Sequence, residues 1–458
     1  LEDPNEPDRS AEKHGEGWST DGLGYLQHEI TLQRVYVFHP YAKGGRSKAA
    51  CRSPEARLEE AMGLAKAIEV ELVGGESIVL REIKPSTFIG RGKLVEIKAK
   101  VDELELDLVV FDCELTPIQQ RNLERSLQVK VIDRTALILE IFGARASTKE
   151  GELQVELAHL VYQRSRLVNS WTHLERQRGG AGFLGGPGET QIEVDRRIIA
   201  DRITNIRRQL ADVTKTRTLH RARRQKELNP IVALVGYTNA GKSTLFNKLS
   251  NAEVLADDML FATLDPTLRS IMMPSGRKVL LSDTVGFISE LPTTLIAAFR
   301  ATLEEVLEAD IIIHVRDVSH ADSEIQKQDV INVLQELGVD IESVTTGTPV
   351  IEAFNKIDLV TPEKLEALTG YAKQHSECVP ISGLTGIGSE DLIEKIDEIL
   401  GSKDNLIDKL VPYSDGATQS WIHSNTKLLS QSHEDDGIRY KFVVDSVTWA
   451  KFCSRASR

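Results

Sequence analysis

The chain has 458 residues, a formal net charge of −13 and four cysteines set far apart. That length allows about three domains of ordinary size. The acidic balance argues against indiscriminate nucleic-acid binding, and with no CxxC pair neither a zinc knuckle nor a disulfide framework is indicated. No apolar run reaches the length of a membrane span, and no basic-then-apolar leader is visible, so a cytoplasmic setting is expected. The chain begins with Leu1, so an initiator or leader is expected to precede it, and an organellar home stays open.

Residues 1–30 are polar and read as a loose tail. An α/β domain is expected over 31–150. "LQRVYVFHP" (32–40) looks like a strand, and 55–68 has helical periodicity. "LDLVVFDC" (107–113) and "VKVID" (129–133) look like buried strands flanking the helix "TPIQQRNLERSL". Strand, helix, strand in alternation predicts parallel pairing. "GRGK" (90–93) lacks the spacing and hydroxyl of a phosphate loop and reads as a turn into a helix from Leu94, although an adenine-nucleotide site in this domain stays open.

Residues 151–228 read as a long antiparallel helical hairpin. Leu153, Leu157, Leu160, Leu167, Trp171 and Leu174 fall on heptad spacing, as do Ile192, Ile199, Ile203, Ile206, Leu210 and Val213. Between them "GGAGFLGGPG" (179–188) holds six glycines and sits at the expected tip. It follows no strand and carries no Lys-[ST] pair, so a phosphate cradle is the weakest reading; a plain linker is blander, and a probe against a partner's backbone is the sharpest. Residues 196–226 carry eleven Lys or Arg against two acids. A solvated face is the usual explanation of a charge run, but a one-signed run favours contact with phosphates. Arg176, Arg178, Arg196 and Arg197 flank the tip, and Phe183 or Leu184 can wedge against exposed bases.

A P-loop nucleotide-binding domain is expected over 229–400, with strands at "PIVALVG", "KVLLSD", "DIIIHVRD", "PVIEAFN" and "CVPIS". "GYTNAGKS" (236–243) matches G-x-x-x-x-G-K-[ST] between a predicted strand and a predicted helix, the context the motif requires. Gly236, Asn239, Ala240 and Gly241 turn backbone N–H groups onto phosphates, with Thr244 just beyond them. Lys242 supplies charge to the β and γ phosphates, and Ser243 offers a hydroxyl to Mg²⁺. "DTVG" (283–286) brings Asp283 to orient Mg²⁺ through water and Gly286 to approach the γ-phosphate. In "FATLDPT", beginning at Phe261, Thr263 is the better candidate for a switch threonine that closes on Mg²⁺, and Thr267 is the alternative.

"NKID" (355–358) selects the base. The Asp358 carboxylate can accept from N1–H and the exocyclic amine of guanine, and adenine presents neither donor on that edge. Lys356 can cover the base or the P-loop, and Asn355 can tie this loop to the P-loop. "ISGLTG" (381–386) can close the pocket through Ser382 and Gly383. Lys242, Asn239 and Gly286 are the candidate catalytic groups. The residue after "DTVG" is Phe287, where many GTPases place a water-orienting glutamine. A phenyl ring cannot orient water by hydrogen bonding, so slow intrinsic turnover is expected. A partner's group can substitute, or a K⁺ held by Asn239; equally, Asn239 can simply stabilise the loop. Residues 401–458 read as a small α+β domain ending in "IRYKFVVD".

These motifs together resemble one family. "GGAGFLGGPGETQIEVDRR", "GYTNAGKSTLFN", "FATLDPT", "KPSTFIGRGK" (84–93) and "VIDRTALILEIFGARA" (131–146) are similar to those of HflX GTPases. The resemblance spans about 30 to 400 and is weaker in the tail. One departure is "GGPGE" (185–189), where the family's RGPGE opens with arginine. The resemblance implies a monomeric GTPase that binds the large ribosomal subunit and its rRNA, with the hairpin tip near the peptidyl-transferase region. It also implies splitting of stalled or idle ribosomes and stimulation of hydrolysis by the subunit. A large-subunit assembly or RNA-remodelling GTPase that splits nothing is the alternative.

Overall fold

The computed structural model describes residues 32–42, 52–177, 191–227, 229–250, 261, 267–289, 305–339, 348–402, 404–445, 449 and 452. Contacts divide the chain into two compact units, Leu1–Ile203 and Thr204–Arg458. No helix among the described residues is long and apolar enough to cross a membrane.

The first unit is built on a four-stranded, all-parallel sheet in the order β2-β1-β3-β4. Its elements are β1 (Arg34–Ala42), α1 (Pro54–Lys66), β2 (Glu71–Leu80), α2 (Arg91–Glu103), β3 (Leu108–Phe111), α3 (Pro117–Leu127), β4 (Lys130–Asp133) and α4 (Arg134–Arg145). The expected alternation and parallel pairing are present. Val35, Val37, Val109, Val110 and Val131 are fully buried, as strands covered on both faces require. Strand β2 was not among the predicted strands, because Gly74 and Gly75 interrupt its apolar pattern. Both glycines are packing devices: a Cβ on Gly75 would meet Met62 Sδ of α1 at 2.8 Å, and one on Gly74 would meet the Tyr36 ring at 3.0 Å. "GRGK" is the expected turn, with Gly90 as N-cap of α2, although the helix begins three residues before Leu94.

A buried ionic network lies at the carboxyl ends of these strands. Asp112 accepts from His39 Nδ1 at 2.8 Å and from Arg134, whose other guanidinium nitrogen reaches Glu60 at 2.6 Å. Burial raises the Asp112 carboxyl, but Arg134 and His39 outweigh it and hold it well below the usual range. Asp133 is fully buried and caps α4 through Ala136 N–H at 2.9 Å.

Two long helices follow, α5 (Lys149–Gln177) and α6 (Gln191–Glu227), about 44 and 56 Å long at 1.5 Å per residue. The start of α5 packs on α3 and α4. It is fastened to Asp133 by the Tyr162 hydroxyl at 2.9 Å and Arg166 at 2.5 Å. The predicted heptad stripe of α5 is only part of its buried face: Leu153 is buried with Val155 and Ala158, while Leu157 and Leu160 are half-buried. On α6 the predicted Ile203 and Ile206 are buried, with Ile199, Leu210 and Val213 half-buried. Arg202 of α6 pairs with Glu156 of α5 at 2.6 Å. The glycine tip, with Arg178, Phe183 and Leu184, lies outside the described residues, as does the side chain of Arg176.

The second unit contains a six-stranded sheet in the order β10-β9-β8-β5-β7-β6. It comprises β5 (Ile231–Gly236), α7 (Lys242–Ser250), β6 (Thr267–Met272), β7 (Lys278–Asp283), β8 (Ile311–Asp317), α8 (Ser323–Glu336), β9 (Val350–Asn355), α9 (Pro362–Gln374), β10 (Cys378–Pro380) and α10 (Ser389–Gly401). All pairs are parallel except β6 with β7. The five predicted strands are all present. Strand β6 was not predicted; it is an edge strand with Met272 exposed, so its burial signal is weak. Beyond it, β11 (Asp404–Val411), α11 (Gly416–Asn425), β12 (Lys427–Glu434) and β13 (Gly437–Asp445) make a three-stranded antiparallel sheet packed through Val411, Ile422, Tyr440 and Phe442.

Candidate nucleotide site

The site forms where parallel strands β5, β7, β8 and β9 end, the usual position for a ligand on an open α/β sheet. Strand β5 runs into the P-loop, and Lys242 is the first residue of α7. The unpaired backbone N–H groups at the start of a helix are suited to binding an anion. Close packing accounts for the glycines. A Cβ on Gly236 would lie 2.3 Å from Val315 O of β8, and one on Gly241 would lie 2.3 Å from Asn355 Nδ2. Asn239 is exposed and left-handed, with φ 57°, at the outer bend of the loop. Ala240 is buried, and Thr244 is half-buried in the first turn of α7.

Lys242 is buried and donates to Gly236 O at 3.2 Å and Tyr237 O at 2.9 Å. Burial pulls its ammonium down to about 8, against the attraction of Asp283. Phosphates would restore the charged form. Nucleotide binding above pH 8 is therefore expected to take up a proton, and GTP affinity to fall by about tenfold between pH 8 and 9.5. Calorimetry in buffers of different ionisation enthalpy measures that proton; no uptake at pH 9 would contradict the assignment.

Ser243 donates to Asp283 Oδ2 at 2.7 Å, and Asp283 is fully buried at the end of β7. Two hard oxygen donors side by side suit Mg²⁺. Thr267 is the first residue of β6 and pairs across the ladder with Asp283, which commits it to the sheet. Thr263 lies outside the described residues. Phe261 is buried with φ 59°.

The "DTVG" turn is stitched to the P-loop through its backbone. Thr238 N–H donates to Phe287 O at 2.7 Å, and Phe287 N–H donates to Gly236 O at 3.1 Å. The Phe287 ring is 1% exposed. It serves as a packing anchor and, as its chemistry requires, presents nothing to water. A Cβ on Gly286 would meet Thr238 Cγ2 at 2.8 Å and Lys242 Nζ at 3.1 Å. Only glycine fits there.

Three loops converge on one amide. Asn355 Nδ2 donates to Ala240 O of the P-loop at 2.7 Å, and Asn355 Oδ1 accepts from Gly383 N–H at 2.8 Å. Ser382 donates to Asp358 Oδ1 at 2.6 Å, and Asp358 itself is exposed. The hydroxyl thus holds the carboxylate in one orientation at an open face. Lys356 is left-handed, with φ 63°, and pairs with Asp317 Oδ2 at 2.9 Å. Burial raises the Asp317 carboxyl, but Ser319 and Lys356 outweigh it and hold it below its ordinary value. Two contributors were missing from the sequence reading. Asp317 ends β8, a position from which a role beside the base loop was inferable. The Tyr237 hydroxyl accepts from Ser289 N–H at 2.8 Å, a contact no motif signals.

Family models cover the chain in three stretches: a "GTP-binding GTPase N-terminal" model matches residues 55–143, a "GTP-binding GTPase Middle Region" model residues 145–224, and a "50S ribosome-binding GTPase" model residues 231–356. A protein of Magnetococcus marinus named GTPase HflX is 47% identical, covering 83% of this chain and 86% of its own length. The chain belongs to the HflX GTPase family. A relative of that name from Escherichia coli is 42% identical over 81% of this chain and 85% of its own, and one from Caldanaerobacter subterraneus is 43% identical over 85% and 88%. As an HflX-family member it is a GTP-hydrolysing enzyme carrying a ribosome-binding GTPase domain. Mg²⁺, the metal this class uses, would be held by Ser243 and Asp283. When bound it would supply charge neutralisation to the phosphates.

Proposed function

We propose that this HflX-family GTPase binds the large ribosomal subunit through α5, α6 and their tip, and separates stalled or idle ribosomes while GTP is bound. Gly236, Asn239, Ala240, Gly241, Lys242, Ser243, Thr244, Phe261, Asp283, Gly286, Asn355, Lys356, Asp358, Ser382 and Gly383 hold the guanine nucleotide, and Thr263 closes on the metal. Arg176, Arg178, Phe183, Arg196 and Arg197 meet rRNA. The observation that carries this reading is the basic excess along α6. Arg196, Arg197, Arg202, Arg207 and Arg208 are all exposed on this helix and outnumber the exposed acids of the same stretch, Asp201 and Asp212, within a chain that is acidic overall. A local stripe of that kind attracts phosphate backbone where the rest of the surface repels it. The match of residues 231–356 to the 50S ribosome-binding GTPase family supports the same partner. The enzyme acts as a monomer in the cytoplasm.

With Phe287 buried, the aid to hydrolysis comes from elsewhere. The exposed amide of Asn239 offers an oxygen to K⁺ at the outer bend of the P-loop, the place an arginine finger takes in other GTPases. GTP turnover with and without isolated large subunits, in K⁺ and in Na⁺, tests both parts. Turnover of the protein alone is expected on the order of 10⁻⁴ s⁻¹, rising at least about tenfold with subunits and falling in Na⁺ at unchanged GTP affinity. Equal turnover with and without subunits would remove the docking reading, and equal rates in the two salts would remove K⁺. Light scattering by intact ribosomes should fall with GTP or its non-hydrolysable analogue but not with GDP. Unchanged scattering alongside stimulated turnover would rule out splitting.

A further inference from the structure

We infer that the Thr238 hydroxyl orients the water that attacks the γ-phosphate. Thr238 is the third residue of the P-loop, and its side chain is buried against the "DTVG" turn. Its Cγ2 and Cα stand 2.8 and 2.9 Å from the point a Cβ on Gly286 would occupy, and Lys242 Nζ stands 3.1 Å from that same point. The side chain thus shares one small space with the glycine N–H and the ammonium that address the γ-phosphate. The Thr238 backbone cannot drift, because its N–H is held on Phe287 O at 2.7 Å.

The hydroxyl is chemically idle in that place. Thr238 Oγ1 is buried and makes no hydrogen bond among the described residues. A buried polar atom without a partner is costly, and valine, with the same shape, would avoid that cost. The idle atom therefore calls for an occupant. Lys242 lies folded onto Gly236 O and Tyr237 O beside it. Phosphate drawing the ammonium outward gives water access to Oγ1. Phe287, the residue following the "DTVG" turn, is a hydrocarbon ring turned into the core, so the adjoining P-loop side chain is the group left to do the orienting.

A hydroxyl is both donor and acceptor. It accepts one O–H of the water and donates its own proton to a γ-phosphate oxygen, which leaves a water lone pair facing phosphorus. The bond from the water oxygen to phosphorus forms as the bond from phosphorus to the β,γ-bridging oxygen breaks. GDP leaves with that electron pair, and the water's proton stays on the released phosphate.

Single-turnover hydrolysis by the full-length chain separates the hydroxyl from its shape. Thr238→Val is expected to slow the chemical step by about tenfold, the value of one hydrogen bond, with GTP and GDP affinities within about twofold of the parent. Thr238→Ser, which keeps the hydroxyl, is expected to retain most of the rate. The melting temperature of Thr238→Val should equal or exceed that of the parent, because the idle polar atom is gone. A valine variant that hydrolyses at the parental rate overturns the inference. So does a serine variant as slow as valine, since that would make the methyl, and not the hydroxyl, the working part.

Discussion

Asp358→Asn is expected to weaken GTP binding by about 10³-fold and to create measurable affinity for xanthosine triphosphate. The argument is one of donors and acceptors. Guanine presents N1–H and an amine on the edge that Asp358 would meet in the proposed site, and a carboxylate accepts both. An asparagine there can accept one and must set its own NH₂ against the guanine amine. Xanthine carries a carbonyl in place of that amine and would accept from the new NH₂. The structure sharpens this, because Ser382 donates to Asp358 Oδ1 at 2.6 Å and fixes the orientation of the carboxylate. The serine therefore presets the specificity edge, and its hydroxyl can hold the amide oxygen of asparagine in the same way. Equilibrium binding of fluorescent GTP and XTP analogues measures the exchange. Parental GTP affinity in Asp358→Asn would show that the base is read elsewhere.

The legible parts of this molecule share a physical origin. Strands β1, β3, β5, β8 and β9 are largely buried, so they appear as predominantly apolar runs such as "VALVG" and "IIIHV". The P-loop, "DTVG" and "NKID" were legible because each sits at the end of such a strand, where the local string and its context coincide. Strand β2 was hidden by Gly74 and Gly75, whose reason is the nearness of Tyr36 and α1. Edge strand β6 and the polar strand β12 lack the burial that writes a pattern. On α5 the heptad count assumed a single facing helix. The helix in fact begins against α3 and α4, and this broadens its buried face to include Val155 and Ala158. Contacts made by one side chain across distant loops left no string to read. Asp317 with Lys356 and Tyr237 with Ser289 belong to that class.

Asn355→Ala is expected to cost about 2–4 kcal/mol of stability in the GTPase domain and to weaken GTP binding by about 100-fold. Asn355 is 2% exposed and uses both ends of its amide, donating to Ala240 O at 2.7 Å and accepting from Gly383 N–H at 2.8 Å. Alanine would strand two buried backbone groups, each of which had one partner supplied by the amide. The loss of affinity follows from geometry more than from stability. In the proposed site the P-loop and the Gly383 loop would hold different ends of the same nucleotide, and the amide ties the two loops together. Asn355→Asp retains the acceptor for Gly383 but sets a carboxylate oxygen against Ala240 O, so it should rescue neither property. Chemical denaturation together with GDP binding separates the two effects. A variant of parental stability whose affinity is also unchanged would show that the phosphate and base loops are held apart by packing alone, and that the amide is an accessory to it.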